Sequence, residues 1–135
     1  MALNLDAYLG VHQAALKVQS KRMEVLANNL ANVDTPNYKA RDIDFKAALA
    51  AATGSNSGSS VKLATTNAEH ISTEPSAAAG AGLKYRVPLA PSLDGNTVDA
   101  QQEQAAFAEN TVRYQATLAF LTSRIKNLMT AITGS

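Results

Sequence analysis

The chain has 135 residues, with 12 Lys/Arg against 11 Asp/Glu and no cysteine, and its apolar positions (46%) include 26 alanines and no tryptophan. Large apolar residues are too few for a thick globular core, so long helices burying narrow seams are expected. The near-neutral charge disfavours a nucleic-acid binder working by counterion release and a polybasic membrane anchor, and the missing Cys excludes disulfides, thiolate metal sites and Cys nucleophiles.

Residues 1–10 show neither a basic start nor an apolar run ending in a small-residue cleavage site, so no cleaved signal is expected. Residues 5–33 then carry a helical pattern. Leu9, Leu16, Met23 and Leu30 recur every seven residues, and Leu5, His12, Gln19, Leu26 and Val33 fill the alternate positions. This spacing of four and three keeps one stripe on a partner helix. The polar seam positions His12 and Gln19 weaken such a stripe but fix its register. Asp34-Thr35-Pro36-Asn37 ends the helix, because Pro36 biases Thr35 out of the helical region and Asp and Asn favour turns.

The middle, 35–96, reads as a small irregular region. A short helix is expected over 45–52, and flexible Ser/Gly and Ala/Gly tracts near 53–60 and 76–82. Weak strand candidates lie within 61–71 and at 85–89. Pro88, Pro91 and the Asp94-Gly95 pair make the approach to the last element a series of turns.

Residues 98–132 form the second helical pattern. Phe107, Tyr114, Leu118, Leu121, Ile125, Leu128 and Ile132 make its seam, with Asn96 or Thr97 as the expected N-cap. The predicted fold is therefore mainly α. Two long terminal helices, within 1–34 and 97–135, form a coiled coil, and the middle region has room for short β-strands. An isolated monomer can pair two such seams only as a thin hairpin with one side open. The chain is thus expected to be an assembly subunit, whose terminal helices order fully in the oligomer.

No residue set supports an enzyme. His12 and His70, the two histidines, have no companion at a ligand spacing. Asp42 and Asp44 bracket Ile43 but adjoin Lys39, Arg41 and Lys46, and read as a solvated turn or an interface ion pair. The 53–60 tract lacks the Gly-Lys-Ser/Thr of a phosphate loop, and no serine sits in a nucleophile elbow. No catalytic residue, metal, cofactor, small-molecule substrate or nucleic acid is expected.

The most specific segment is LANNLANVDTPNYKARDIDF, over 26–45. Asn28 and Asn32 share a helix face, which suits either contacts across an interface or solvation of a fraying helix end. Ala27, Asn28, Leu30, Ala31, Asn32, Thr35, Pro36, Tyr38 and Lys39 together resemble the N-terminal motif of the bacterial flagellar axial proteins, the rod and hook family. The run from Ala40 to Phe45, the Thr66-to-Ile71 element with His70, and the stretch from Pro91 through Asp94, Gly95 and Asn96 to Asp99 resemble the proximal-rod members more narrowly.

The resemblance implies a structural subunit of the basal-body proximal rod. Such a subunit would be exported by the flagellar type III apparatus without a cleaved signal. It would help to form a drive shaft that crosses the periplasm, transmits torque and surrounds the export channel. Implied neighbours are other copies of itself, other proximal-rod subunits (FlgC-like and FlgF-like), a FliE-like adaptor, and membrane-ring and export-gate components. The alternatives are the neighbouring proximal-rod subunit FlgC, against which the 91–99 stretch speaks, and a soluble helical-bundle interaction module, which the heptads alone would allow.

Overall fold

The computed structural model describes residues 5–54 and 82–134, with side chains in the first helix from Leu9 onward. His70, the strand candidate within 61–71 and nearly all of the two low-complexity tracts lie outside the described residues. The elements run α1 (Leu5–Ala31), β1 (Arg41–Ile43), α2 (Phe45–Ala52), β2 (Leu83–Tyr85) and α3 (Ala100–Thr133). The 27 residues of α1 and 34 of α3 make rods of about 40 and 50 Å. None of the described helices is long and apolar enough to cross a membrane.

Helix α1 runs unbroken because no proline and, after Gly10, no glycine interrupts it. It ends where the pattern predicts. The amides of Asn32 and Thr35 close tight turns onto the carbonyls of Asn29 and Asn32, Pro36 bars continuation, and Asn37 takes a left-handed conformation at φ 61°. The chain then reverses into β1, which pairs antiparallel with β2 in the register Arg41 to Tyr85, Asp42 to Lys84 and Ile43 to Leu83. The second strand therefore starts two residues before the expected 85–89 and stops short of Pro88, which has no N–H for a ladder. Helix α2 matches its expected span. Asp44 caps it, accepting from the Ala47 amide at 3.2 Å.

Helix α3 is capped by Asp99, whose carboxylate accepts from the amides of Gln101 (3.0 Å) and Gln102 (3.2 Å). Asn96 and Thr97, the expected caps, have other partners, described below. The long helices lie antiparallel. Near the end of α1 Asn29 meets Glu103 at the start of α3, whereas mid-helix Gln19 meets Thr117. A small apolar cluster under the hairpin joins Val18, Ile43 and Ala48, with Val25, Phe45 and Leu83 packed against it. The middle region thus sits on one flank of α1 and leaves the other flank uncovered.

Candidate assembly site

The face of α1 that meets α3 is largely polar. Glu103, Asn110 and Thr117, each seven residues apart, form one stripe on α3. Glu103 and Asn110 are buried there, opposite buried Gln19, Leu26 and Asn29 on α1. Asn110 Nδ2 donates to the Gln19 carbonyl at 2.9 Å, and Gln19 Nε2 donates to Thr117 Oγ1 at 3.2 Å.

Asn29 is fully buried and serves two elements. Its Nδ2 donates to the Arg41 carbonyl (2.6 Å) and to Glu103 Oε2 (3.0 Å). Its Oδ1 accepts from the Arg41 amide at 3.2 Å and lies 3.4 Å from the Tyr38 hydroxyl that donates to it. One side-chain amide therefore reads both backbone groups of Arg41 as a neighbouring strand would, and fastens β1 to α1 and α3.

Charged groups extend this lock. The Arg22 guanidinium grips Asp42 through two bonds of 2.8 and 2.9 Å. Arg86, just after β2, bridges Asp42 Oδ2 and Glu103 Oε1, both at 2.7 Å. Two cations and two carboxylates thus join α1, β1, the end of β2 and α3. Burial works against the Asp42 charge, but bonds from Arg22, the Ile43 amide and Arg86 outweigh it and hold the carboxyl below its ordinary range. The same bond to Asp42 raises Arg22 further. Asp42 and Asp44, expected in a solvated turn or at an interface, form ion pairs within the chain: Asp44 pairs with exposed Lys84 at 2.8 Å.

The turns at 34–39 and 92–97 interlock. Asn96 is buried, and its Nδ2 lies within bonding distance of the carbonyls of Asn32 (3.1 Å), Val33 (2.6 Å) and Thr35 (3.0 Å). These carbonyls belong to the turn that follows α1, so Asn96 fixes that turn from about 60 residues away in sequence. The Asn37 amide donates to the Asp94 carbonyl (2.9 Å), the Thr97 amide to the Tyr38 carbonyl (3.0 Å), and Lys39 Nζ to the Gly95 carbonyl (2.6 Å). Thr97 Oγ1 accepts from the Ala40 amide at 2.8 Å. Asp94 accepts from the Asn96 amide and the Ser92 hydroxyl, which lower its pKa.

Of the predicted seam residues, Leu26 lies in this contact and the rest lie along its side. Leu26 is fully buried; Leu9, Leu16, Met23 and Leu30 are half-buried. On α3, Phe107, Tyr114, Leu121 and Leu128 are half-buried, while Leu118, Ile125 and Ile132 are 45%, 42% and 82% exposed. At 3.6 residues per turn, Leu16, Met23 and Leu30 fall on the flank of α1 away from Val18 and Val25, and so away from the middle region. Leu16 and Tyr114 line one shallow groove with Ser20 and Lys21, which places the α3 row on the same side. The two heptad rows together form one apolar strip, half covered, along the helix pair. Asn28, Ala31, Thr35, Pro36, Lys39 and Asp94 are exposed. Asn32, Tyr38 and Gly95 are half-buried, with Asn32 Nδ2 donating to the Asn28 carbonyl at 2.8 Å.

Sequence reasoning missed Asn29, Glu103, Arg22 and Arg86, and gave no contact for Asn110. The spacing of seven between Glu103, Asn110 and Thr117 was the available signal. No group of three or more metal-ligating side chains occurs among the described residues.

The family model described as flagella basal body rod protein matches residues 9–39, which cover most of α1 and the turn after it. A flagellar basal body rod protein FlgB of Cereibacter sphaeroides is 53% identical over 126 residues, 93% of this chain and 94% of that protein. Those of Aeromonas hydrophila (46%; 99% of this chain, 98% of that one) and Escherichia coli (45%; 95% and 94%) are similar over nearly their whole lengths. The chain belongs to the FlgB family of flagellar basal body rod proteins. It is accordingly a structural subunit of the basal-body rod that assembles with other flagellar components, and the rod and hook resemblance of its motif holds.

Proposed function

We propose that the chain builds the proximal rod, at the base of the drive shaft, where it transmits torque and helps to enclose the export channel. The observation that carries this reading is the half-covered strip of Leu9, Leu16, Met23 and Leu30 beside Tyr114, Leu118, Leu121, Ile125 and Ile132. A monomer that meant to stay alone would bury such a strip or break it with charge. Along two rods of about 40 to 50 Å it offers many shallow, repeated contacts, which suits a shaft loaded in torsion. The lock of Asn29, Asp42, Arg86 and Glu103 keeps the two rods in one register, so the strip reaches neighbouring subunits as a fixed surface. Asn28, exposed on the side of α1 turned away from this strip, is placed to meet a second neighbouring subunit.

The neighbours are further copies, FlgC-like and FlgF-like rod subunits, a FliE-like adaptor, and the membrane ring and export gate. The subunit works in the periplasm, reaches it through the type III apparatus, and has no catalytic role. Leu118→Asp tests the strip, because Leu118 is exposed enough for the isolated chain to tolerate the charge. The expected result is an unchanged monomer by circular dichroism together with membrane rings that carry no rod in electron cryotomograms. Normal rods and motility would refute the reading.

A further inference from the structure

One turn of the chain is held rigidly and yet presents a bare leucine. The Gly95 amide donates to the Ser92 carbonyl at 3.3 Å and closes a turn with Leu93 and Asp94 at its corners. The Asn37 amide ties this turn to the end of α1 through the Asp94 carbonyl (2.9 Å), and the Asn96 amide bonds Asp94 Oδ1 (3.1 Å). Leu93 is nevertheless fully exposed. An apolar side chain on a backbone that is already ordered loses little freedom on binding, which is what an anchor into a partner requires. Asp94 beside it is exposed and joins no ion pair among the described residues, because nearby Lys39 bonds the Gly95 carbonyl instead.

The chain also carries a surface complementary to that turn. Leu16 and Tyr114 supply the apolar part of a shallow groove of about 360 Å³ across α1 and α3, which Lys17, Ser20, Lys21 and Glu24 complete. Lys21 and Glu24 pair with each other at 2.9 Å, whereas exposed Lys17 joins no ion pair among the described residues. From this match we infer that Leu93 of one copy seats in the groove between Leu16 and Tyr114 of a second copy, with Asp94 against Lys17. The turn cannot reach the groove of its own chain. It is bonded to residues past the end of α1, whereas the groove centres near Ser20, roughly 15–20 Å back along the helix. The contact joins two different patches, so it runs head to tail and adds one copy to the next instead of closing a symmetric pair. It rests on the chain working as a rod subunit, for which it assigns the surfaces that two adjacent copies use.

The chain has no cysteine of its own, so engineered ones report without background. Leu93→Cys and Ser20→Cys are co-expressed as two separate full-length chains, and isolated basal bodies are oxidised with copper phenanthroline. Both side chains are exposed, so neither change should disturb the fold. The expected product is a disulfide-linked dimer of the chain from the mixture, with none from Leu93→Cys alone or Ser20→Cys alone. Adding Lys17→Glu to the Ser20→Cys chain should lower the dimer yield roughly twofold to fivefold, and Lys17→Arg should preserve it. Leu93→Asp gives a second readout without oxidation: the circular dichroism of the monomer should be unchanged while rod yield falls. Basal bodies that hold both variants yet give no mixed dimer, an equal dimer from Leu93→Cys alone, or a yield indifferent to Lys17→Glu would overturn the inference. Basal bodies lacking the chain altogether would instead overturn the rod reading, and this inference with it.

Discussion

Two neighbouring asparagines should behave oppositely, and the difference measures the internal lock. Asn29→Ala removes the bonds to both backbone groups of Arg41 and to Glu103, at 2.6, 3.2 and 3.0 Å. A neutral hydrogen bond nets about 1 kcal/mol and one to a charged group about 2, and partners stranded in a buried site raise the loss. The expected cost is about 3–5 kcal/mol, a large part of the roughly 5–15 kcal/mol that holds a small domain together. With a urea slope of about 1.5 kcal/mol per molar, the unfolding midpoint should fall by roughly 2–3 M or folding should fail. Asn28→Ala, one residue earlier, touches an exposed side chain and should change stability by less than about 0.5 kcal/mol. Asn29→Asp separates packing from bonding: it keeps the shape, loses the donor and sets a second carboxylate beside Glu103. It should be at least as damaging as alanine at neutral pH and recover partly in acid. Urea titrations of the three variants by far-ultraviolet circular dichroism decide the matter. Equal midpoints for Asn28→Ala and Asn29→Ala would refute the lock.

Other positions extend the test. Asn96→Ala should cost about 2–3 kcal/mol and speed hydrogen exchange at the amides of 35–38, because the turn after α1 loses its distant donor. Gly95→Ala should cost about 1–2 kcal/mol by thermal melting, since Gly95 sits at φ +72° and a Cβ there would lie 2.6 Å from Asn37 Oδ1. Asp42 has a folded pKa below the unfolded value of about 3.9, so its stabilisation is complete above that value and is lost as pH falls through the folded one. The acid limb of the stability curve should therefore begin near pH 4, and Asp42→Asn should flatten it while costing about 2 kcal/mol at neutral pH. A parallel acid limb in the variant would assign the pH dependence to other carboxylates.

The helices, the break at Pro36 and the α2 span were legible because they follow from short-range rules: periodicity, proline geometry and helix formers. Contacts between distant residues were not. Asn96 looks like a local N-cap and instead bonds the turn after a helix that ended far upstream, since a side-chain amide bonds whichever carbonyls the fold brings near. Strand β2 was expected two residues too late, because its ends are set by Arg41 to Ile43 across the ladder and not by its own composition. The apolar heptads read as stripes, but a stripe does not name its partner. The contact between α1 and α3 turned out to lie beside the leucine row, where Gln19, Asn29, Glu103, Asn110 and Thr117 look like imperfections in a coiled coil.

That displacement has a physical consequence for an assembly subunit. Polar groups demand matched partners at fixed distances, so a polar contact between α1 and α3 admits few registers. Apolar contacts tolerate sliding and exchange, and many of them together resist torsion without any one being indispensable. Placing the demanding groups inside the subunit and the tolerant ones on its flank lets each copy fold to one shape while meeting non-identical neighbours along the rod. Exchanging the two chemistries should therefore separate the two properties. Converting Asn110 to leucine should leave the chain helical, because an apolar residue fills the same stripe, but strand no buried charge and free the register. The expected signature is retained far-ultraviolet dichroism with faster hydrogen exchange across the Gln19 to Met23 turn and disordered rods. Uniform rods from Asn110→Leu would show that register is set by the neighbours and not by the subunit.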